Sequence, residues 1–510
     1  MPALLSATSS NTAEGLKFSN QVKSDDSEKL DSVSVEAENV EHDGAAGEAG
    51  GLVDRARLEK RLVRKLDARC SILVIIYILN YIDRNNISAA RTKGFEADLK
   101  LTGSQYPTLL SILYVGYILM QVPSNMIVKK LGRPSIYFPL CMAIWGLISA
   151  LTGITTSFIG ALLTRFFLGF VEASFFPGSV FLLSSWYKKD ELGLRTAILY
   201  CGSLISNAFG PLIAAGILAN MEGSFGGREA WRNLFFVEAI ITVAVALIAV
   251  PILPDFPHNS RGFSQAERNI AMQRMSEDVG VEDEIEVGAF RSLLDTLLDP
   301  KAWAMALTVT ALVVGLSFNQ FFPTLTKTLG YNNTVSLLLC APPFFFATLC
   351  AFFVGRHSDK TQERAMHIIV PVLIGILGCI IAMSTEALAA RYVALFLLAQ
   401  SFSSFVVFYA WISNTFPRPA MKRGIAIAFI NAFSQLGNIS GAYTYPKNWG
   451  PSYVKSFGIV IAMFSTCIAG VLFHRFTLAR LNRKLVEAEA RGESCELSGV
   501  KLPKGFRYVL

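Results

Sequence analysis

Apolar runs close to the ~20 residues that carry a helix across a bilayer recur along the whole chain, separated by short polar segments. They fall near 68–90, 105–128, 134–153, 158–183, 195–219, 232–253, 302–324, 335–356, 366–384, 391–415, 423–445 and 455–477. The pattern predicts twelve membrane-spanning helices, and the longest gap, Pro254 to Lys301, divides them six and six. Inside that gap Ser264 and Glu267 have the spacing of a capping box, in which each side chain satisfies a backbone N–H of the other. A polar helix to about Asp278, an acidic loop and an amphipathic stretch around Phe290–Leu298 should follow.

Five segments result: a disordered tail over 1–60, a six-helix half over 61–253, a linker over 254–301, a second half over 302–478 and a tail over 479–510. The first segment is acidic and rich in Ser, Glu, Ala and Gly, with little to bury. Its start lacks the apolar core of a secretory leader, so helix 1 is expected to act as an uncleaved signal. Two halves of six joined by a long loop resemble the major facilitator fold. The fold class expected is therefore an all-α polytopic membrane protein with two pseudo-symmetric halves.

Composition agrees. Only 17% of the 510 residues are charged, against roughly a quarter in soluble domains. A net charge of +7 raises nucleic acid as a partner, but Lys and Arg lie in small clusters between apolar runs, which suits loops at a membrane surface. No nucleic acid is expected. Basic residues favour the loops after even-numbered helices, including Lys129, Lys130, Arg133, Lys188, Lys189, Arg195, Arg356, Lys360 and Arg364, so both termini are expected in the cytoplasm. The plasma membrane is the expected location. The cysteines sit mostly inside apolar runs without metal-ligand or redox spacing, and no Walker loop or HExxH occurs. Neither enzyme activity, cofactor nor metal is expected.

Charges at bilayer depth cost at least about 2.5–3.5 kcal/mol each on insertion scales, so they mark function by default. In helix 1, Tyr77, Asn80, Tyr81 and Arg84 share one face, and Arg84 offers a planar fork to a carboxylate. Asp83 projects about 100° away and suits a proton carrier. In helix 4, Arg165, Gly169 and Glu172 share a face: Glu172 is the preferred proton carrier, and Gly169 leaves room for a close partner or ligand. The bland alternative is a permanent Arg165–Glu172 salt bridge. In helix 10, Gln400, Ser404, Val407, Trp411 and Asn414 recur at helical spacing, as do Asn431, Gln435 and Asn438 in helix 11. Trp411, Asn414 and Asn438 are the substrate-contact candidates among them. Glu238 in helix 6 lies near Arg232 in sequence and reads as half of an ion pair.

The Asp83-Arg84 pair with Arg165 and Glu172 resembles the anion:cation symporter family of the major facilitator superfamily. The stretches 80–87, 121–125, 131–135, 231–235 and 253–257 are similar to its fungal allantoate and nicotinate permease branch. The loops at 129–134 and 355–360 resemble, in degraded form, the superfamily's Gly-x-x-x-Asp-Arg-x-Gly-Arg motif, with Lys129, Arg133 and Asp359 as gating-loop residues. The resemblance implies that Arg84 contacts a substrate anion while Asp83 and Glu172 couple its movement to protons. Its substrate range includes nicotinate, allantoate, pantothenate, biotin, dipeptides and sugar acids. The expected partners are therefore a small organic anion, protons and membrane lipid, with a monomeric protein. Export of an acidic metabolite, uniport, or a receptor without flux remain as rival readings, and two carboxylates permit one or two protons per cycle.

Overall fold

The computed structural model describes residues 27–279, 289–416, 420–491, 496–497, 500–501 and 505–510. The acidic loop expected after Asp278 and the start of the N-terminal tail lie outside the described residues. By contacts, Met1–Arg61 forms one unit and Leu62–Leu510 another. Helix 1 lies in a single helical element, Ser27–Arg91, which takes in residues 27–60 of the N-terminal segment. Glu and Ala, both strong helix formers, are frequent there.

Ten further helices are long and apolar enough to cross a membrane: Gln105–Leu131 (helix 2), Pro134–Thr152 (3), Phe158–Ser184 (4), Glu191–Asn220 (5), Ala230–Ile252 (6), Pro300–Lys327 (7), Asn333–Thr361 (8), Ala365–Ser384 (9), Leu388–Thr415 (10) and Val454–Ala490 (12). Ala420–Gly441 occupies the place of helix 11. Helices 1 and 11 are not among the ten, and they carry the Asn80–Asn86 and Asn431–Asn438 polar stretches. Large apolar side chains such as Leu119, Met126, Leu147, Phe353 and Phe473 are exposed on the outside of the bundle, as lipid contact requires. Apart from one two-residue strand pair, Glu496–Leu497 with Val500–Lys501, the described chain is helical.

The packing repeats. Helix 2 packs on 4, 3 on 4 and 3 on 6; correspondingly, 8 packs on 10, 9 on 10 and 9 on 12. Adding six to each number converts one set into the other. Exchanging the halves, by adding six to one number and subtracting six from the other, relates two lines that join them, helix 2 on 11 and helix 8 on 5.

Helices 2 and 4 approach most closely at two glycines. A Cβ on Gly169 would collide with the carbonyl of Leu113, and one on Gly116 with the carbonyl of Phe166. The space at Gly169 is therefore filled by the backbone of helix 2, not by a ligand. That contact sets Tyr114 and Tyr117 of helix 2 beside the helix 4 charges.

The linker forms the expected elements, Gln265–Val279 and Ala289–Leu297. Ser264 Oγ accepts from Glu267 N at 3.2 Å and Glu267 Oε2 accepts from Ser264 N at 2.8 Å, completing the capping box. Lys65 pairs with Glu267 at 2.9 Å and Arg274 with Glu191 at 2.6 Å, fixing the first linker helix to helices 1 and 5. The seven described cysteines are free. Asn332 accepts from Val335 N at 2.8 Å through its side-chain oxygen and caps the short helix that begins helix 8.

Candidate functional site

Arg84 is the centre of the polar cluster. Its Nε donates to Glu172 Oε2 at 2.9 Å, and Nη2 lies 2.9 Å from the same oxygen. Both side chains are buried. The guanidinium lies over the rings of Tyr81, Tyr117 and Tyr114, at 4.9, 5.1 and 5.8 Å from their centroids. Aromatic faces favour a cation without neutralising it, so the positive charge persists in a desolvated setting. Glu172 Oε1 has no hydrogen-bond partner among the described residues.

Arg165 does not pair with Glu172, so the permanent bridge within helix 4 is not what forms. Its Nη2 donates instead to the backbone carbonyl of Arg84 at 2.8 Å, and its Nε and Nη1 lack partners among the described residues although the residue is only 2% exposed. Two guanidinium groups thus converge from helices 1 and 4 with one carboxylate between them. The cluster keeps unspent donors in a place where each should be satisfied.

Asp83 turns the other way, as the 100° step predicts. Thr242 Oγ1 donates to its Oδ2 at 2.9 Å and Ser149 Oγ to its Oδ1 at 3.3 Å, placing it among helices 1, 3 and 6. Tyr77 packs edge-on to Tyr81 at 5.0 Å and stacks on Phe176 at 5.3 Å, so it serves as a wall behind the tyrosine cluster. Asn80 is buried, and its Nδ2 has no partner among the described residues.

The second half reaches the cluster through amides. Asn438 Nδ2 donates to Gln435 Oε1 at 2.9 Å, Gln320 Nε2 approaches Asn438 Oδ1 at 3.4 Å, and the same Nε2 approaches Tyr114 Oη at 3.4 Å. Gln320 sits in the 3₁₀ stretch of helix 7, Leu316–Phe321, and with Asn319 is a polar candidate that the sequence itself offers in that helix. Tyr200 of helix 5 also bridges the halves, with its ring 5.4 Å from Phe405.

Trp411 and Asn414 are not brought there. Trp411 is fully buried, its Nε1 donates to the carbonyl of Val509 at 2.9 Å, and its ring meets His474 edge-on at 4.8 Å. It anchors the returning C-terminal segment. Asn414 lies one turn further along, half-buried.

The gating-loop candidates divide similarly. Lys129 and Arg133 are exposed, and Asp359 pairs locally with Arg364 at 2.6 Å. The loop after helix 2 is instead held from the start of the linker. Asp255 Oδ1 accepts from Ser135 N at 3.0 Å, its carbonyl accepts from Trp186 Nε1 at 2.8 Å, and Asn259 Nδ2 donates to Gly132 O at 2.7 Å. Asp255 belongs to the Leu253–Pro257 stretch whose resemblance was legible but whose role was not.

Glu238 departs from its expected pairing. Arg232 binds Asp98, Glu229 at 2.8 Å and the carbonyls of Gly153 and Thr155 at 3.1 and 2.7 Å, and Glu238 receives no hydrogen bond from the described residues.

Comparison with known proteins agrees with this architecture. The family model described as Major Facilitator Superfamily matches residues 73–442. The chain is 30% identical over 476 residues to the MFS-type transporter cnsO of Penicillium expansum, covering 88% of this chain and 90% of that protein. It is also 30% identical over 390 residues to a protein of Agrobacterium vitis whose name carries tartrate as its substrate, covering 75% and 87%. Among solved structures, a bacterial homologue of the human lysosomal transporter Spinster, inward-facing and occupied, aligns at TM-score 0.61 with 18% identity, over 80% of this chain and 95% of that one. A D-xylose–proton symporter aligns at TM-score 0.59 with 15% identity, over 79% and 96%. Those two likenesses concern fold alone. With helical packing, buried charge and family match in agreement, the chain belongs to the Major Facilitator Superfamily and is a multi-pass membrane transporter, not an enzyme.

Proposed function

We propose that this protein is a proton-coupled symporter that takes up a small organic carboxylate. The observation that carries the reading is the Arg84–Glu172 pair inside a ring of tyrosines. In this arrangement Glu172 occupies the fork that a substrate carboxylate needs. A proton arriving on Glu172, whose Oε1 is free of donors, removes the negative charge and releases Arg84 to the incoming anion. Arg165 supplies a second, under-used cation, and Asn438 with Gln320 supplies amides from the other half. Substrate and proton therefore favour each other's binding, which is what symport requires. A relative named for tartrate, a dicarboxylate, supports the same charge class.

The halves meet through Thr108 with Tyr443 at 3.0 Å, Ser88 with the Gln320 carbonyl at 2.6 Å and Glu96 with Lys447 at 3.8 Å. These contacts lie at the end away from the linker. With both termini in the cytoplasm, as the Lys and Arg distribution favours, that end faces outward. The plasma membrane suits uptake from the medium.

The test is uptake of a labelled carboxylate panel into proteoliposomes carrying the protein, with an imposed pH gradient. Acid outside should drive accumulation of at least one carboxylate, Arg84→Ala should abolish it, and Glu172→Gln should keep exchange while losing accumulation. If no carboxylate moves, or both variants behave as wild type, the reading fails.

A further inference from the structure

Helix 6 carries a carboxylate that the Arg84–Glu172 cycle does not use. Glu238 is 3% exposed and neither of its oxygens has a hydrogen-bond partner among the described residues. It stands one helical turn before Thr242, on the same face, and Thr242 is the residue that donates to Asp83 Oδ2 at 2.9 Å. Helix 3 closes the opposite side: Ser149 donates to Asp83 Oδ1 at 3.3 Å, and Trp145 is fully buried beside it. Helices 3 and 6 are packed closely here, since a Cβ on Gly146 would lie 3.2 Å from the Thr242 methyl.

The charged groups facing this pocket are few. Among the described residues no charged side chain is hydrogen-bonded to Glu238, and Asp83, held by Thr242 one turn along the same face of helix 6, is bonded only to hydroxyls. Helix 5, which also packs on helix 6, contributes no charged group to Glu238 among the described residues. The nearest cation in sequence, Arg232, is committed to Asp98, Glu229 and two carbonyls. Two desolvated carboxylates without a cation cannot both remain ionised. Hydroxyl donors satisfy Asp83 as an anion, whereas nothing satisfies Glu238 as one.

We infer that Asp83 and Glu238 form a proton-holding pair enclosed by helices 1, 3 and 6, with Glu238 carrying the proton in this state. Helix 1 separates the pair from the anion site, because Asp83 and Arg84 project from adjacent positions in different directions. In this state Glu238 is not hydrogen-bonded to Asp83, so transfer awaits a shift that brings the two carboxyls within hydrogen-bond reach; the O–H bond on Glu238 then breaks as one forms on Asp83, and the negative charge passes the opposite way. Asp83 then changes the field at Glu172 without touching the substrate. Only this last link to transport rests on the proposed symport.

The pair is tested without a substrate. Infrared difference spectra of the purified full-length protein, recorded through a pH titration in H2O and D2O, report protonated carboxyl groups by their deuterium-sensitive C=O band. Wild type should show such a band, Glu238→Gln should lose one carboxyl's worth of it, and Asp83→Asn should alter the band assigned to Glu238. A Glu238→Gln spectrum identical to wild type would overturn the inference. Should that variant fail to fold, the wild-type protein decides: dicyclohexylcarbodiimide, which adds to protonated carboxyls in apolar surroundings, should label Glu238 by mass spectrometry, and absence of label there counts against the pair. Failure of carboxylate uptake would sink the symport reading while leaving these spectra and labels unchanged, so the two failures are distinct.

Discussion

Arg84 and Glu172 meet through a single carboxylate oxygen, Oε2, which takes both guanidinium contacts at 2.9 Å and leaves Oε1 without a donor. The pairing is thus closed on the cation's side and open on the acid's side. A proton or a hydrogen-bonding substrate group can add to Glu172 without first displacing Arg84. The tyrosine rings hold the guanidinium in place when its partner changes, because its central carbon lies over the faces of Tyr81 and Tyr117 at 4.9 and 5.1 Å, apart from the Glu172 contact.

From that geometry, Arg84→Lys is expected to fail as a conservative change. Lysine keeps the charge but loses the planar fork and the stacking surface. On the proposed carboxylate symport, uptake should fall more than about tenfold, the loss expected when ~1.4 kcal/mol of charge-assisted hydrogen bonding disappears. The initial rate in proteoliposomes measures it. A rate close to wild type would mean that Arg84 acts only as a point charge.

Gly169→Ala should destabilise the protein even though alanine is the better helix former by about 1 kcal/mol. The added methyl would strike the Leu113 carbonyl, which belongs to backbone and cannot rotate aside. Overpacking of this kind costs about 1–3 kcal/mol. The expected sign is a lower melting temperature in detergent, with Gly193→Ala, where nothing lies within 4 Å of the new methyl, as the control. Equal melting temperatures for the two variants would show that helices 2 and 4 separate easily.

These cases mark how far sequence alone reaches. The apolar periodicity placed the helices, because each must bury or expose a face over its whole length, and the capping box at Ser264 is a local signal. Arg84 and Glu172 stood out because charge at that depth is expensive. What the periodicity did not contain was partner choice between helices: Arg165 lay at the right spacing for Glu172, yet bonds to the Arg84 carbonyl. Trp411 shared a polar face with candidates in helix 10, but spacing does not say whether that face meets a cavity or a returning chain. Glu238 and Arg232 were close in sequence, and helix 6 turns them to different neighbours.

Asp255→Ala should loosen the loop after helix 2. The carboxylate caps helix 3 from outside by accepting the Ser135 N–H, and loss of an N-terminal cap costs about 0.5–2 kcal/mol. Trypsin cleavage at Lys129, Lys130 and Arg133, all exposed, should accelerate relative to wild type. Asp359→Ala, which removes only a local contact to Arg364, should leave cleavage at those three sites unchanged. Equal cleavage in the Asp255 variant would place the hold on the loop elsewhere, with Asn259 on the Gly132 carbonyl as the next candidate.

The returning segment at 505–510 ties together helices that the cycle must move. Val509 O accepts from Trp411 of helix 10, Tyr508 exchanges two hydrogen bonds with Asn482 of the helix 12 extension at 2.8 and 2.9 Å, and Leu510 O accepts from Arg364 N at the start of helix 9. Lys301 of helix 7 lies over the Tyr508 ring at 5.6 Å. A single such hydrogen bond contributes about 1 kcal/mol net, so Trp411→Phe, which keeps the ring packing and removes the donor, should speed amide exchange of Tyr508 by about fivefold. Asn482→Ala removes both bonds to Tyr508 and should speed it further. Hydrogen exchange read by mass spectrometry on the intact protein separates the cases: graded acceleration supports a docked segment held by these bonds, and identical exchange in all three proteins would show that it is held by ring packing alone.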